Sequence, residues 1–164
     1  MFAKKEITEE KALQRLAALC AKAEHCSGEM IEKMCRWGLD DEQAQARIMA
    51  YLTKHKYIDD ERFARAFIND KVVYNKWGRR KIAQALRMKH VDESIYEPIL
   101  DEVEEDKYLD VLCPLIEAKM RTIKAKNDYE MTQKLMRFAA GRGFDFDMIK
   151  RAIGRLMENV DDFD

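Results

Sequence analysis

The feature that most constrains this chain is a repeat: apolar residues recur at helix-face spacing in successive blocks, and the blocks align with one another. SGEMIEKMCRWGLDDE through HKYIDD lines up with GRRKIAQALRMKHVDES through DKYLD, matching Met30 with Ile82, Met34 with Leu86, Leu39 with Val91 and Asp40 with Asp92. A looser third copy runs from NDYEMTQKLMRFAAGRGFDFDM to NVDDFD, where Leu135, Gly143, Phe144 and Asp145 take the places of Met30, Gly38, Leu39 and Asp40. A unit of about 50 residues cannot bury its apolar face alone and must stack on its neighbours. The pattern predicts an all-α fold, a tandem array of three three-helix repeats over residues 8–57, 58–109 and 110–164, elongated and curved.

Composition agrees with helices throughout. Only 6 Gly and 2 Pro interrupt 164 residues, and good helix formers fill the rest. The chain has no apolar run of roughly 18 residues, and MFAKKEITEEKALQRL carries charge where a signal peptide keeps its apolar core. These features predict a cytoplasmic protein with no membrane partner. Cys20, Cys26, Cys35 and Cys113 form no CxxC pair, which predicts reduced, mostly buried thiols rather than disulfides or a metal site.

Nine helices are expected. Thr8 caps the first, over about Glu9 to His25, and Ser27 caps the second, with Met30, Ile31 and Met34 inward. Asp40 opens the third, through Ala44, Ile48 and Leu52; Asp59 and Asp60 open the fourth, with Phe63, Ala66, Phe67 and Tyr74 on one face. The fifth runs from Arg79 to about Lys89. Pro98 argues for a turn over Asp92 to Glu97 with the sixth helix after it, and Pro114 for a seventh helix that begins near Asp110. Asn127 and Glu130 suggest a capping box for the eighth, Gly141-Arg142-Gly143 ends it with Arg142 exposed, and Asp145 caps the ninth. Tyr57-Ile58-Asp59 and Tyr108-Leu109-Asp110 read as matching punctuation between helices.

The net charge of -1 conceals two opposed blocks. Lys71, Lys76, Arg79, Arg80, Lys81, Arg87 and Lys89 follow one another with no acid between them, and eight acids without a base then occupy Asp92 to Asp106. On the fifth helix Ile82, Ala85 and Leu86 take one side and Arg80, Gln84 and Arg87 the other, so an anionic partner is expected there. Arg121 and Lys124 extend the candidate surface. Tyr74 and Trp77 either cover the junction between repeats or stack on a single strand. A pure DNA binder has no use for the acidic block, which favours a mixed partner. Walker-type, GxSxG and HExxH motifs are missing, so neither an enzyme nor a cofactor is expected.

The string YIDDERFARAFINDKVVYNKWGRRKIAQAL, preceded by CSGEMIEKMCRWGLDDE, resembles the RecX family, regulators of the RecA recombinase. The Asp59-Asp60 pair with Phe63-Ala64, and the Gly78, Ile82 and Leu86 spacing, carry the likeness. The resemblance implies a helical array lying in the groove of a RecA-DNA filament, where it inhibits filament extension, ATP hydrolysis and strand exchange. It further implies roles in homologous recombination, DNA repair and the SOS response, by a monomer that binds DNA weakly or within the filament. An architectural DNA-binding helical repeat protein is the alternative.

Overall fold

The computed structural model describes residues 7–161, with side chains through residue 158. The first six residues and the last three of the NVDDFD segment lie outside the described residues. Within them the chain forms nine α-helices and no strand: α1 Glu9–Lys22, α2 Ser27–Arg36, α3 Glu42–Lys54, α4 Asp60–Val73, α5 Arg79–Met88, α6 Glu93–Glu102, α7 Glu105–Met120, α8 Asp128–Gly141 and α9 Phe146–Asp161. Two compact units result, Met1–Arg65 with Leu86–Tyr96, and Ala66–Ala85 with Glu97–Asp164.

Four helices end in the same way. The residue after the last turn turns left-handed and the next N–H reaches back five residues, which satisfies a carbonyl the helix leaves open. Leu39 bonds to Met34 at 2.8 Å, Tyr57 to Leu52 at 2.9 Å, Val91 to Leu86 at 3.1 Å and Phe144 to Ala139 at 3.3 Å. The left-handed residues are Gly38, Lys56, His90 and Gly143, with φ of 85°, 61°, 60° and 93°. Each is followed by an apolar residue, and Val91 and Phe144 are buried. The aligned Leu39, Val91 and Phe144 are therefore plugs beneath the reversal, and the aspartate after each lies just before the next helix.

The first unit is built on Ala12, Leu16, Met30, Met34, Ile48, Leu52 and Ile58, all buried. Several helix starts differ from expectation by one residue. Ser27 is the first residue of α2 rather than its cap, and its N–H donates to Asp60 Oδ1 at 2.7 Å. Asp41, not Asp40, caps α3 through the Gln43 N–H. α1 stops at Lys22, short of His25; the chain then runs extended so that Cys26 can be buried and Glu24 can meet Arg62 at 2.7 Å. Ile31 is 41% exposed, on the wrong side of the Met30 and Met34 stripe.

In the second unit α7, α8 and α9 pack pairwise. On α4, which runs from one unit to the other, Phe63 is buried and Phe67 half-buried as expected, but Ala66 and Tyr74 are exposed. Ala64, Ile68 and Val72, spaced four apart, form the buried stripe instead. Both proline-bearing helices start earlier than expected: α6 reaches back over the segment read as a turn, and α7, in which Pro114 is expected, begins before Asp110. α6 starts at Glu93, where Asp92 Oδ1 accepts from the Ser94 N–H at 2.9 Å and the Ser94 hydroxyl at 2.6 Å, and carries Pro98 inside it. α7 starts at Glu105 and carries Pro114. A proline removes one helix bond; burial of Tyr96, Ile99 and Leu100 around Pro98, and of Leu109, Leu112 and Ile116 around Pro114, offsets the loss. Tyr108-Leu109-Asp110 consequently lies inside α7, while Tyr57-Ile58-Asp59 does lie between helices.

The cysteines are all free. Cys26 is buried, and burial pushes its thiol up to about 11. Cys35 is exposed, against expectation, because it lies on the outer face of α2.

Replacing His90 by Gly relieves the left-handed strain and should raise unfolding free energy by up to about 1 kcal/mol. Gly143→Ala should lower it by more than about 1 kcal/mol, since the added methyl would also run into Lys81. Urea midpoints measure both, and a Gly143→Ala protein as stable as the wild type would overturn this account of the turn. Tyr108 is 4% exposed and its hydroxyl has no hydrogen-bond partner among the described residues, while burial pushes its pKa from 10.0 up to about 12. The folded state thus holds this proton more tightly than the unfolded one, so stability falls as pH rises through 10 toward 12. Tyr108→Phe should match or exceed the wild type in melting temperature at neutral pH and lose less stability across that alkaline window.

Candidate functional site

The basic first turn of α5 breaks a local rule. A helix N-terminus carries partial positive charge and favours acids, yet α5 begins Arg79-Arg80-Lys81 with no acid in its first turn. Backbone contacts hold it there. The Gly78 N–H donates to the Arg142 carbonyl at 2.8 Å, and the Arg80 N–H to the Gly143 carbonyl at 3.1 Å, so the α8–α9 turn caps α5. A side chain at position 78 would collide with the Gly143 backbone, which explains the glycine.

Arg79 does not stand free. Its guanidinium lies 2.7 Å from Glu97 and 2.7 Å from Asp101, so part of the acidic block neutralises part of the basic one. Burial pulls the Arg79 pKa down, but the bonds to Asp101 and Glu97 outweigh it and hold the guanidinium above its ordinary value. α5 carries no acid of its own, so the counterions of Arg79 come from α6. Lys71 lies over the rings of Phe67 and Trp77 at 5.2 and 5.0 Å, and Lys81 lies over Trp77 at 4.6 Å. Trp77 is half-buried beneath these cations, whereas Tyr74 is 76% exposed and covers nothing. Lys76 is exposed in a left-handed turn with φ of 57°.

The remaining candidates divide clearly. Arg80 is exposed and without an ion pair among the described residues. Arg87, exposed on the same face of α5 by helix register, belongs to the first unit, where Lys89 is taken up by Glu29 at 3.7 Å. Arg121 pairs weakly with Glu117 at 3.4 Å, and Lys124 is exposed. Arg142 is half-buried rather than open: it donates to the Asn75 carbonyl at 3.2 Å and lies 5.4 Å from the Phe138 ring. Among the described residues no group of His, Cys, Asp or Glu is arranged to hold a metal, and no helix is long and apolar enough to cross a membrane.

Arg80 also reaches a feature that the linear charge blocks do not reveal. A groove of about 630 Å³ in the second unit is lined by Arg80 from α5, Tyr129, Met136 and Arg137 from α8, and Phe146 and Lys150 from α9. Its three cations are far apart in sequence, so no local block marks them. The usable signal is two aromatic residues in the first turns of helices, Tyr129 and Phe146, which are 74% and 56% exposed.

Comparison with known proteins places this arrangement in a family. Residues 59–97 match the family model described as RecX, second three-helix domain, and residues 105–153 the model described as RecX, third three-helix domain. The chain is 32% identical over 82% of its length to "Regulatory protein RecX" of Vibrio campbellii, covering 84% of that protein. It is 29% identical to the Vibrio parahaemolyticus protein of the same name, covering 93% of this chain and 96% of the relative. The chain spans 59% of the length of the Clostridium tetani relative, to which it is 31% identical. The crystal structure of RecX from Lactobacillus salivarius superimposes with a TM-score of 0.82 at 19% identity, over 90% of this chain and 96% of that one, which supports the all-α helical repeat fold. With the two family models together matching more than half of the chain and a relative of similar length above 30% identity, the chain belongs to the RecX family.

Proposed function

We propose that this protein is a non-enzymatic cytoplasmic regulator that binds the RecA-DNA filament as a monomer and inhibits filament extension, ATP hydrolysis and strand exchange. Through that activity it serves homologous recombination, DNA repair and the SOS response. Family membership supports the regulatory role, since the relatives are named regulatory proteins. The observation that carries the reading is the α5 surface. Arg79 is held by carboxylates, but Arg80 and Arg87 remain open at a helix that carries no acid of its own. Exposed cations without an ion pair of their own are stabilised by an anionic partner. The proposed binding surface also takes in Lys71, Lys76, Lys81, Arg121 and Lys124.

Direct architectural DNA binding is the second reading, and the exposed Tyr74 beside Lys76 favours it, since an open aromatic ring next to a cation suits a single strand. Salt dependence separates the two. Affinity resting on phosphates alone falls by about one logarithmic unit per neutralised phosphate for each tenfold rise in salt. Binding to a filament of protein and DNA should be tighter and less salt-dependent.

Measured as DNA-dependent ATP hydrolysis by a RecA-type recombinase, inhibition should appear at less than one copy of this protein per recombinase. An Arg80→Glu, Arg87→Glu double variant should lose that inhibition by roughly tenfold or more while keeping its helical content and melting temperature. Absence of inhibition at equimolar wild-type protein would overturn the regulatory reading. Inhibition only in large excess, with equal affinity for naked DNA, would establish the architectural one.

A further inference from the structure

The groove between α8 and α9 combines three properties that no packing requirement of the fold explains. Its rim holds Arg80, Arg137 and Lys150, none of them ion-paired among the described residues, and no acid lines it. Its two most exposed ring systems, Tyr129 and Phe146, stand in water at 74% and 56% exposure. Met136 and the buried Ile149 line it as well, and methionine adapts its shape to a docked side chain.

We infer that this groove is the docking site for an acidic amphipathic helix of a protein partner. The size fits, because Tyr129 to Ala140 along α8 spans about 16 Å at the rise of a helix, enough to seat roughly three turns of a second helix. Apolar side chains of the incoming helix, one turn apart, cover Tyr129, Met136 and Phe146. Its carboxylates meet Arg80, Arg137 and Lys150, where a guanidinium takes a carboxylate with two parallel bonds. Lys150 already lies over the Phe146 ring at 4.5 Å, which holds its ammonium at the rim.

Charge alone would also suit nucleic acid, but the lining favours protein. A phosphate chain could use the rim cations, Thr132 and Gln133, but it would leave the apolar lining of Met136, Phe144 and Phe146 uncovered. A helix with one apolar and one acidic face meets both surfaces at once. The inference rests on the regulatory reading for its biological setting, so its test stands without any recombinase.

The probe is a fluorescein-labelled peptide of about 16 residues with leucines at helix-face spacing and glutamates elsewhere, titrated with the full chain and followed by anisotropy. Comparators are the same peptide with lysine for glutamate, and a labelled oligothymidylate. The acidic peptide should bind at least about tenfold more tightly than either. Arg137→Glu with Lys150→Glu, and separately Tyr129→Ala with Phe146→Ala, should each weaken it about tenfold with circular dichroism and melting temperature unchanged.

Equal binding of the lysine peptide, or indifference to both double variants, overturns the proposal. Tighter binding of oligothymidylate that is lost in the same variants assigns the groove to nucleic acid instead. Self-association in sedimentation that Phe146→Ala abolishes assigns it to a second copy of the chain. Peptide binding without recombinase inhibition leaves the groove and removes the regulatory reading. Inhibition without peptide binding does the reverse.

Discussion

A backbone hydrogen bond that reaches back five residues determines how this chain is organised. At Leu39, Tyr57, Val91 and Phe144 it closes a helix, turns the chain through one left-handed residue and drives an apolar side chain under the reversal. The direction of the next helix is thereby set by local bonds. Two of the four left-handed positions hold glycine, whereas Lys56 and His90 hold residues that reach that conformation at some expense of stability. The geometry recurs even where the sequence is not ideal for it, which marks it as a requirement of the fold.

The same turn gives the second unit its polarity. Gly143 lends its carbonyl, and Arg142 its own, to the first N–H groups of α5, so a helix that starts on three bases is capped by main chain alone. A side-chain cap there would normally be Asp, Ser or Asn. An aspartate would cancel the charge that the helix displays, and a backbone cap leaves that charge intact. Arg79 is then drawn onto Glu97 and Asp101, and Arg80 is left facing solvent.

Much of the fold was legible in the sequence because the reversal turns leave a local trace: Gly38-Leu39-Asp40, His90-Val91-Asp92 and Gly143-Phe144-Asp145 align by eye. Nine helices follow from that trace and from the apolar spacing. The misreadings have two physical sources. An isolated helix loses a bond at Pro98, which predicts a turn before it, yet α6 runs through because Tyr96, Ile99 and Leu100 are buried around it. On α4 two stripes competed, the aromatic one with Tyr74 and the aliphatic one with Ile68 and Val72, and only packing decides between them. Candidate cations were found as a list, but which are free was not: the partners of Arg79 lie on another helix, and Arg137 and Lys150 join Arg80 only once three helices are assembled.

The two prolines carry a consequence for the order in which the chain becomes structured. Without its N–H, each leaves one carbonyl of the preceding turn unmatched, so α6 and α7 have little tendency to form alone in water. Their helicity is borrowed from burial, α7's through its packing on α8 and α9. The helices without interior proline, such as α1 and α3, can flicker into existence before their neighbours arrive. As the chain leaves the ribosome, its early segments can therefore take shape one by one, while α7 gains its lasting form only when the last two helices have been made.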